Sequence, residues 1–161
     1  MAEKQIGVVA LVLLSVACAR APRAPVDLGG AAGAVGVGSI VVRVAGLESI
    51  EGAVAFALFD EESGFENGES PVRRGIVTVT APDCAWEVEA PWGDYALKVY
   101  HDVNGNGRLD FNKVGIPREP YGFSNDARGR FGPPSFQAAR FTLRDSRLVI
   151  DVEVRRGGSV N

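Results

Sequence analysis

The chain of 161 residues predicts an all-β fold, a single antiparallel β-sandwich of about seven strands. Three observations carry this. Short runs of apolar residues alternate with a period of two, as expected of strands with one face in a core. Gly, Pro, Asn and Asp clusters separate the runs at short intervals, as turns require. No long stretch shows the 3.6-residue period of an amphipathic helix.

The elements follow in order. Ile40, Val42 and Val44 share one face of a first strand, and Val54, Phe56 and Leu58 one face of a second. Val77 with Val79, then Cys84, Trp86 and Val88, repeat the pattern, while Glu87 and Glu89 fall between and point to water. Tyr95, Leu97, Val99 and His101 continue it, followed by Phe141 with Leu143. The last strand holds Leu148, Ile150, Val152 and Val154, with Asp151 and Glu153 on its solvent side. Ala138 and Ala139 suggest one helical turn at most. The domain so defined spans residues 39–157, and residues 158–161 read as a disordered tail. Roughly 120 residues is an ordinary size for one domain.

Upstream, Ile6 to Ala19 form an apolar run, preceded by Lys4 and followed by Arg20, Pro22 and Arg23. This reads as an export signal, residues 1–17, and is shorter than a membrane-spanning helix. Leu14-Ser15-Val16-Ala17-Cys18 resembles a bacterial lipoprotein signal, which makes Cys18 the expected lipidation site; cleavage after Ala19 or Ala21 is the competing reading. Residues 18–38, mostly small and without periodicity from Val26 onward, read as a flexible tether. The expected location is the bacterial envelope, lipid-anchored, or periplasmic or secreted if Cys18 escapes lipidation. Cys84, by its phase, is a small core hydrophobe.

Seventeen basic and 20 acidic residues give a formal charge of −3. Nucleic-acid binders rely on a basic excess to neutralise phosphates, so that partner class is not expected.

Asp102-Val103-Asn104-Gly105-Asn106-Gly107-Arg108-Leu109-Asp110 sets oxygen-bearing side chains at alternate positions before a turn at glycine. Calcium takes six to eight oxygens, and the EF-hand loop supplies them from positions 1, 3, 5, 7 and 9 with glycine at 6. Asp102, Asn104, Asn106 and Asp110 match positions 1, 3, 5 and 9, Gly107 matches 6, and the Arg108 carbonyl matches 7. Leu109 serves as an apolar anchor. Position 12, an EF-hand's bidentate glutamate, is Lys113 here, and a strand rather than a helix precedes the loop. The expectation is a weak structural calcium site with a dissociation constant of about 0.1 to 1 mM. Glu119 folding back is a candidate replacement for position 12. The alternative is a plain Asn-Gly turn.

Several segments carry a family resemblance: Gly52-Ala-Val-Ala-Phe-Ala-Leu-Phe-Asp60, Trp92-Gly-Asp-Tyr-Ala96, His101-Asp-Val-Asn-Gly-Asn-Gly-Arg-Leu-Asp110, Gly115-Ile-Pro-Arg-Glu-Pro-Tyr-Gly-Phe-Ser-Asn125 and Phe131-Gly-Pro-Pro-Ser-Phe136. Together they resemble the bacterial domain-of-unknown-function family 2141. The resemblance implies an exported or envelope-associated protein with no established activity. The Gly-Asp-Tyr start of a strand also looks like transthyretin-like sandwiches, which with immunoglobulin-like ones are the expected architectures. A looser similarity links the Asp-x-Asn-x-Asn-Gly loop to calcium-bearing sandwich repeats of bacterial surface proteins, which usually place an acid near position 12.

The segment from Gly115 to Phe136 is rich in Gly, Pro and aromatics and long for a loop, which points to function. Tyr121, Phe123, Phe131 and Phe136 are its candidate ligand-binding residues, folded over the calcium loop; the equal alternative is an outlying core cluster. His101 is the only histidine, and its phase directs it inward, as a core residue bonded to the loop that follows. No nucleophile, zinc or phosphate-loop motif accompanies it, so no catalytic residue is assigned. The leading functional expectation is a non-enzymatic envelope module, stabilised by calcium, that binds a protein or glycan. The alternatives are a hydrolase using Asp102, Asp110, Glu119 and His101, and a small-molecule carrier.

Overall fold

A computed structural model of the protein describes residues 36–130 and 132–157. The described chain forms β1 (Val37–Ala45), β2 (Ala53–Phe59), α1 (Glu62–Asn67), β3 (Arg73–Thr78), β4 (Cys84–Pro91), β5 (Gly93–Asp102), β6 (Tyr121–Phe123), α2 (Phe136–Ala139), β7 (Phe141–Leu143) and β8 (Arg147–Glu153). Two sheets pack face to face, ordered β4-β1-β8 and β3-β2-β5-β6, with β7 also paired to β5. The expected all-β sandwich is the observed fold. Signal, lipidation site Cys18 and most of the tether lie outside the described residues, as does the tail from residue 158.

The alternating residues define the core as their phase requires. Ile40, Val42, Val44, Val54, Phe56, Leu58, Leu97, Val99 and Val152 are almost fully buried between the sheets. Asp151 and Glu153 stand outside, and Arg43 opposite Asp151 closes a two-bonded exposed ion pair at 2.8 and 3.0 Å. Trp86 of β4 spans the layers and stacks on Phe56 of β2, with centroids 5.1 Å apart. Gly75 of β3 makes this possible, because a Cβ there would lie 2.4 Å from the indole nitrogen.

Cys84 is half-buried against the same core, as expected. Burial first, and then Asp83, pushes its thiol from an ordinary value near 9 up to about 11. The proton is held more tightly in the folded state. This contribution to stability is therefore complete below pH 9 and is lost as pH rises towards 11. In a Cys18→Ser chain at pH 8, Cys84 should react with a chromogenic disulfide reagent about a hundredfold more slowly than in urea, where the pKa returns to 9. Equal rates would contradict the buried placement.

Three features depart from the sequence reading. β1 and β8 pair in parallel, Val42 opposite Ile150, whereas the other strand pairs are antiparallel. A parallel pair needs a long crossover, and here nearly the whole domain intervenes. Second, α1 was not expected; Glu62 opens it, and Gly68 in the left-handed conformation, φ 72°, closes it. Third, β5 carries buried residues on both faces. Its inward residues join the main core, while Ala96 on the outer face joins Phe59, Phe65, Phe123, Phe136 and Ala139 in a second core beneath α1 and α2.

That second core is built on aromatic edges. Phe65 of α1 is fully buried and meets Phe59, Phe136 and Phe123 edge-on at 5.6, 5.9 and 6.0 Å. Lys98, on the same face of β5, lays its ammonium 4.6 Å from the Phe65 ring centre. Desolvation pulls Lys98 below the usual lysine range, against an opposing pull from Glu66. Buried Ser124 ties the layers together: its Oγ accepts from Leu97 N at 2.9 Å and donates to Ala139 O at 2.5 Å. α2 is the single turn foreseen around Ala138 and Ala139, capped by Ser135 Oγ accepting from Ala138 N.

Candidate functional site

β5 delivers two buried polar residues, His101 and Asp102, to one end of the larger sheet. β2 pairs alongside, Val54 opposite His101 and Ala53 opposite Asp102, so the strand end is held on a rigid frame. Beyond Asp102 the chain folds back on that carboxylate. Asp102 Oδ1 accepts from Asn106 N at 3.1 Å and Oδ2 from Gly107 N at 2.7 Å. Asn104 Oδ1 accepts from Asn106 N and Asn106 Oδ1 from Arg108 N, both at 3.0 Å. Gly107 has φ 78°, a left-handed turn that suits glycine at this point.

The loop then closes on Asp110. Asn104 Nδ2 and Asn106 Nδ2 both donate to Asp110 Oδ2, at 2.6 and 2.9 Å. Asn104, Asn106 and Asp110 thus meet directly, and Asp102 grips the backbone that carries them. Among the described residues no three His, Cys, Asp or Glu side chains gather as a metal cage. The loop offers two acids, two amides and main-chain carbonyls, a hard oxygen set of low charge.

Glu119 does fold back onto the loop. It is buried, and its Oε1 accepts from Val103 N while Oε2 accepts from Asp110 N, each at 3.1 Å. One carboxylate therefore clamps both ends of the loop through the backbone. Lys113, at position 12, is exposed.

His101 differs in detail from expectation. Its ring is fully buried, but Nε2 bonds the Glu51 carbonyl at 2.8 Å, in the connection before β2 rather than in the following loop. The following segment is reached by its backbone, His101 N donating to Pro120 O at 2.8 Å. Nδ1 has no hydrogen-bond partner among the described residues. Among the described residues no carboxylate hydrogen-bonds the ring.

The segment from Gly115 to Phe136 is not one loop. Its first part borders the Asp102 loop, with Arg118 N donating to Asp110 O at 2.8 Å. From Tyr121 it becomes β6 and the second core. Phe123 and Phe136 are buried there beside Phe65, the core-cluster placement that stood as the equal alternative to a ligand surface: apolar rings gain from mutual burial. Tyr121 is half-buried against Phe123, rings 5.8 Å apart. Phe131 lies outside the described residues. Sequence reasoning missed Phe65, Lys98 and Ser124, most of whose partners, Phe59 beside Phe65 apart, are distant in the chain.

The family described as "Uncharacterized protein conserved in bacteria (DUF2141)" matches residues 42–151. The chain belongs to the DUF2141 family. The match begins within β1, ends within β8 and takes in the whole Asp102–Glu119 site, in agreement with the resemblance read from the motifs. No curated protein and no solved structure matches this DUF2141 chain.

Proposed function

We propose that this protein is a non-enzymatic module of the bacterial cell envelope, exported and held by a lipid on Cys18, whose Asp102–Asp110 loop takes a structural calcium ion. One observation carries the reading: Asn104, Asn106 and Asp110 converge while Asp102 and Glu119 hold the backbone around them. The oxygens of Asp102, Asn104 and Asn106 that accept one N–H each retain a second lone pair, and the Arg108 carbonyl is the remaining candidate ligand. A calcium ion supplies charge that Asp102 and Asp110 otherwise share only with donors of the loop. Two formal charges suit a weak site, matched to calcium-rich surroundings rather than to signalling. The module's task is binding of an envelope partner, a protein or glycan. The enclosed His101 ring favours a non-enzymatic role.

Calorimetric titration of the protein with calcium tests this, paired with thermal unfolding in calcium and in chelator. Saturable binding near 0.1 to 1 mM is expected. At about ten times the dissociation constant, the ion should add about 1.4 kcal/mol of stability. Asp110→Asn, which bonds no backbone N–H through its side chain, should lose the calcium response while keeping the fold. An absence of heat and an unchanged melting temperature at tens of millimolar calcium would sink the metal role. Hydrolysis of an ester, peptide or glycoside that Asp102→Ala abolishes in a folded protein would sink the non-enzymatic one.

A further inference from the structure

Eight large apolar side chains stand exposed among the described residues, and three of them, Phe111, Val114 and Ile116, fall within six consecutive positions. The other five are spread over β1, β3, β8 and two connections. This cluster caps a small hairpin that starts where the Asp102 loop ends. Phe111 and Pro117 form its bridge, Asn112 N donates to Ile116 O at 2.9 Å, and Gly115 N donates to Asn112 O at 3.0 Å. Asn112 Oδ1 accepts from Val114 N and Ile116 N at 3.0 and 2.9 Å, so the tip is pinned from inside. Phe111 is 57% exposed and Val114 78%. A preorganised hairpin that holds three apolar side chains together in water has the character of an interaction surface.

Charge says what it meets. From Arg108 to Arg118 there are three cations, Arg108, Lys113 and Arg118, against one acid, Asp110, in a chain of net charge −3. All three cations are exposed, whereas the Asp110 carboxylate is taken up by the two loop amides. We propose that the Phe111–Pro117 hairpin docks on an anionic lipid surface, with Phe111 and Val114 entering the headgroup boundary and Arg108, Lys113 and Arg118 meeting lipid phosphates. Apolar burial and attraction to anionic headgroups together drive such interfacial contacts. Long cationic side chains reach the phosphates while their stems lie along the apolar surface. An exposed hairpin that joins apolar side chains to an excess of cations carries both of the elements that an anionic lipid surface recognises. The proposal builds on the envelope location above and names the surface the module meets there. It is independent of calcium, so a hairpin that ignores vesicles leaves the calcium titration standing.

The test uses full-length chains carrying an added indole, Val114→Trp or Phe111→Trp at the hairpin and Ile76→Trp at an exposed site on β3, with the parent's Trp86 and Trp92 as baseline. Each is mixed with phosphatidylglycerol vesicles bearing brominated acyl chains, and with brominated phosphatidylcholine vesicles. The hairpin indoles should be quenched and blue-shifted on phosphatidylglycerol, less so on phosphatidylcholine or in high salt, and Ile76→Trp should not change. Because all share the same N-terminal segment, anchoring there cannot produce the difference. Adding Lys113→Ala should weaken hairpin quenching about fivefold in lipid concentration. The proposal is overturned if the hairpin indoles are quenched no more than Ile76→Trp. It is equally overturned if both lipids quench alike, or if the hairpin indoles respond only to self-association that Val114→Asp abolishes.

Discussion

Phe65→Ala should lower the unfolding free energy by about 3 to 5 kcal/mol, the cost typical of deleting a buried phenyl ring. That is a large share of the roughly 5 to 15 kcal/mol that holds an ordinary domain together. Phe65 is fully buried and is the ring on which Phe59, Phe123 and Phe136 all pack edge-on. Its loss removes transfer energy and three ring contacts at once, and α1 has only six residues with which to collapse into the space. Lys98 also loses the ring face nearest its ammonium. Urea unfolding followed by circular dichroism measures the effect. A loss under about 1 kcal/mol would mean that α1 and α2 do not form a packed layer on the sheet.

Glu119→Ala should cost about 3 kcal/mol, because two backbone N–H groups lose a charged acceptor in a buried setting. Val103 N and Asp110 N are those groups, one at each end of the loop. Glu119→Gln keeps one acceptor but turns an amide donor toward the other N–H, so it should recover only part of the loss. Both variants are to be unfolded in chelator and in calcium, with hydrogen exchange read at Val103 and Asp110. A backbone clamp predicts that stability falls in chelator and that exchange at both amides accelerates. If Glu119 instead serves as the missing twelfth-position ligand, stability in chelator stays near that of the parent and only the calcium response falls.

The strands other than β6, which sits in the segment read as a loop, were legible because each is a local pattern. Ile40 with Val42 and Val44, or Leu97 with Val99 and His101, face one way because successive side chains on an extended backbone alternate, whatever their partners are. The oxygen spacing from Asp102 to Asp110 was legible for the same reason, and the observed loop folds on it. The family, too, was readable from ordered motifs. α1 escaped because six residues are too few to show a helical period.

What only the tertiary structure decided are relations between distant residues. The parallel seat of β8 beside β1 joins the two ends of the domain, and no local pattern distinguishes it from an antiparallel one. Phe123 and Phe136 have the composition of a binding surface or of a core, and the choice rests on Phe65 and Ala96 arriving from elsewhere. Glu119 reads from its neighbours as a loop acid, yet the chain brings it back to N–H groups 16 and nine residues earlier. The sequence by itself thus determined strand phase, turn chemistry and the oxygen set of the loop, which depend on backbone geometry over a few residues. Strand partners, the second core and the clamp waited for the fold, because burial and hydrogen-bond satisfaction are settled by whatever the rest of the chain brings within reach.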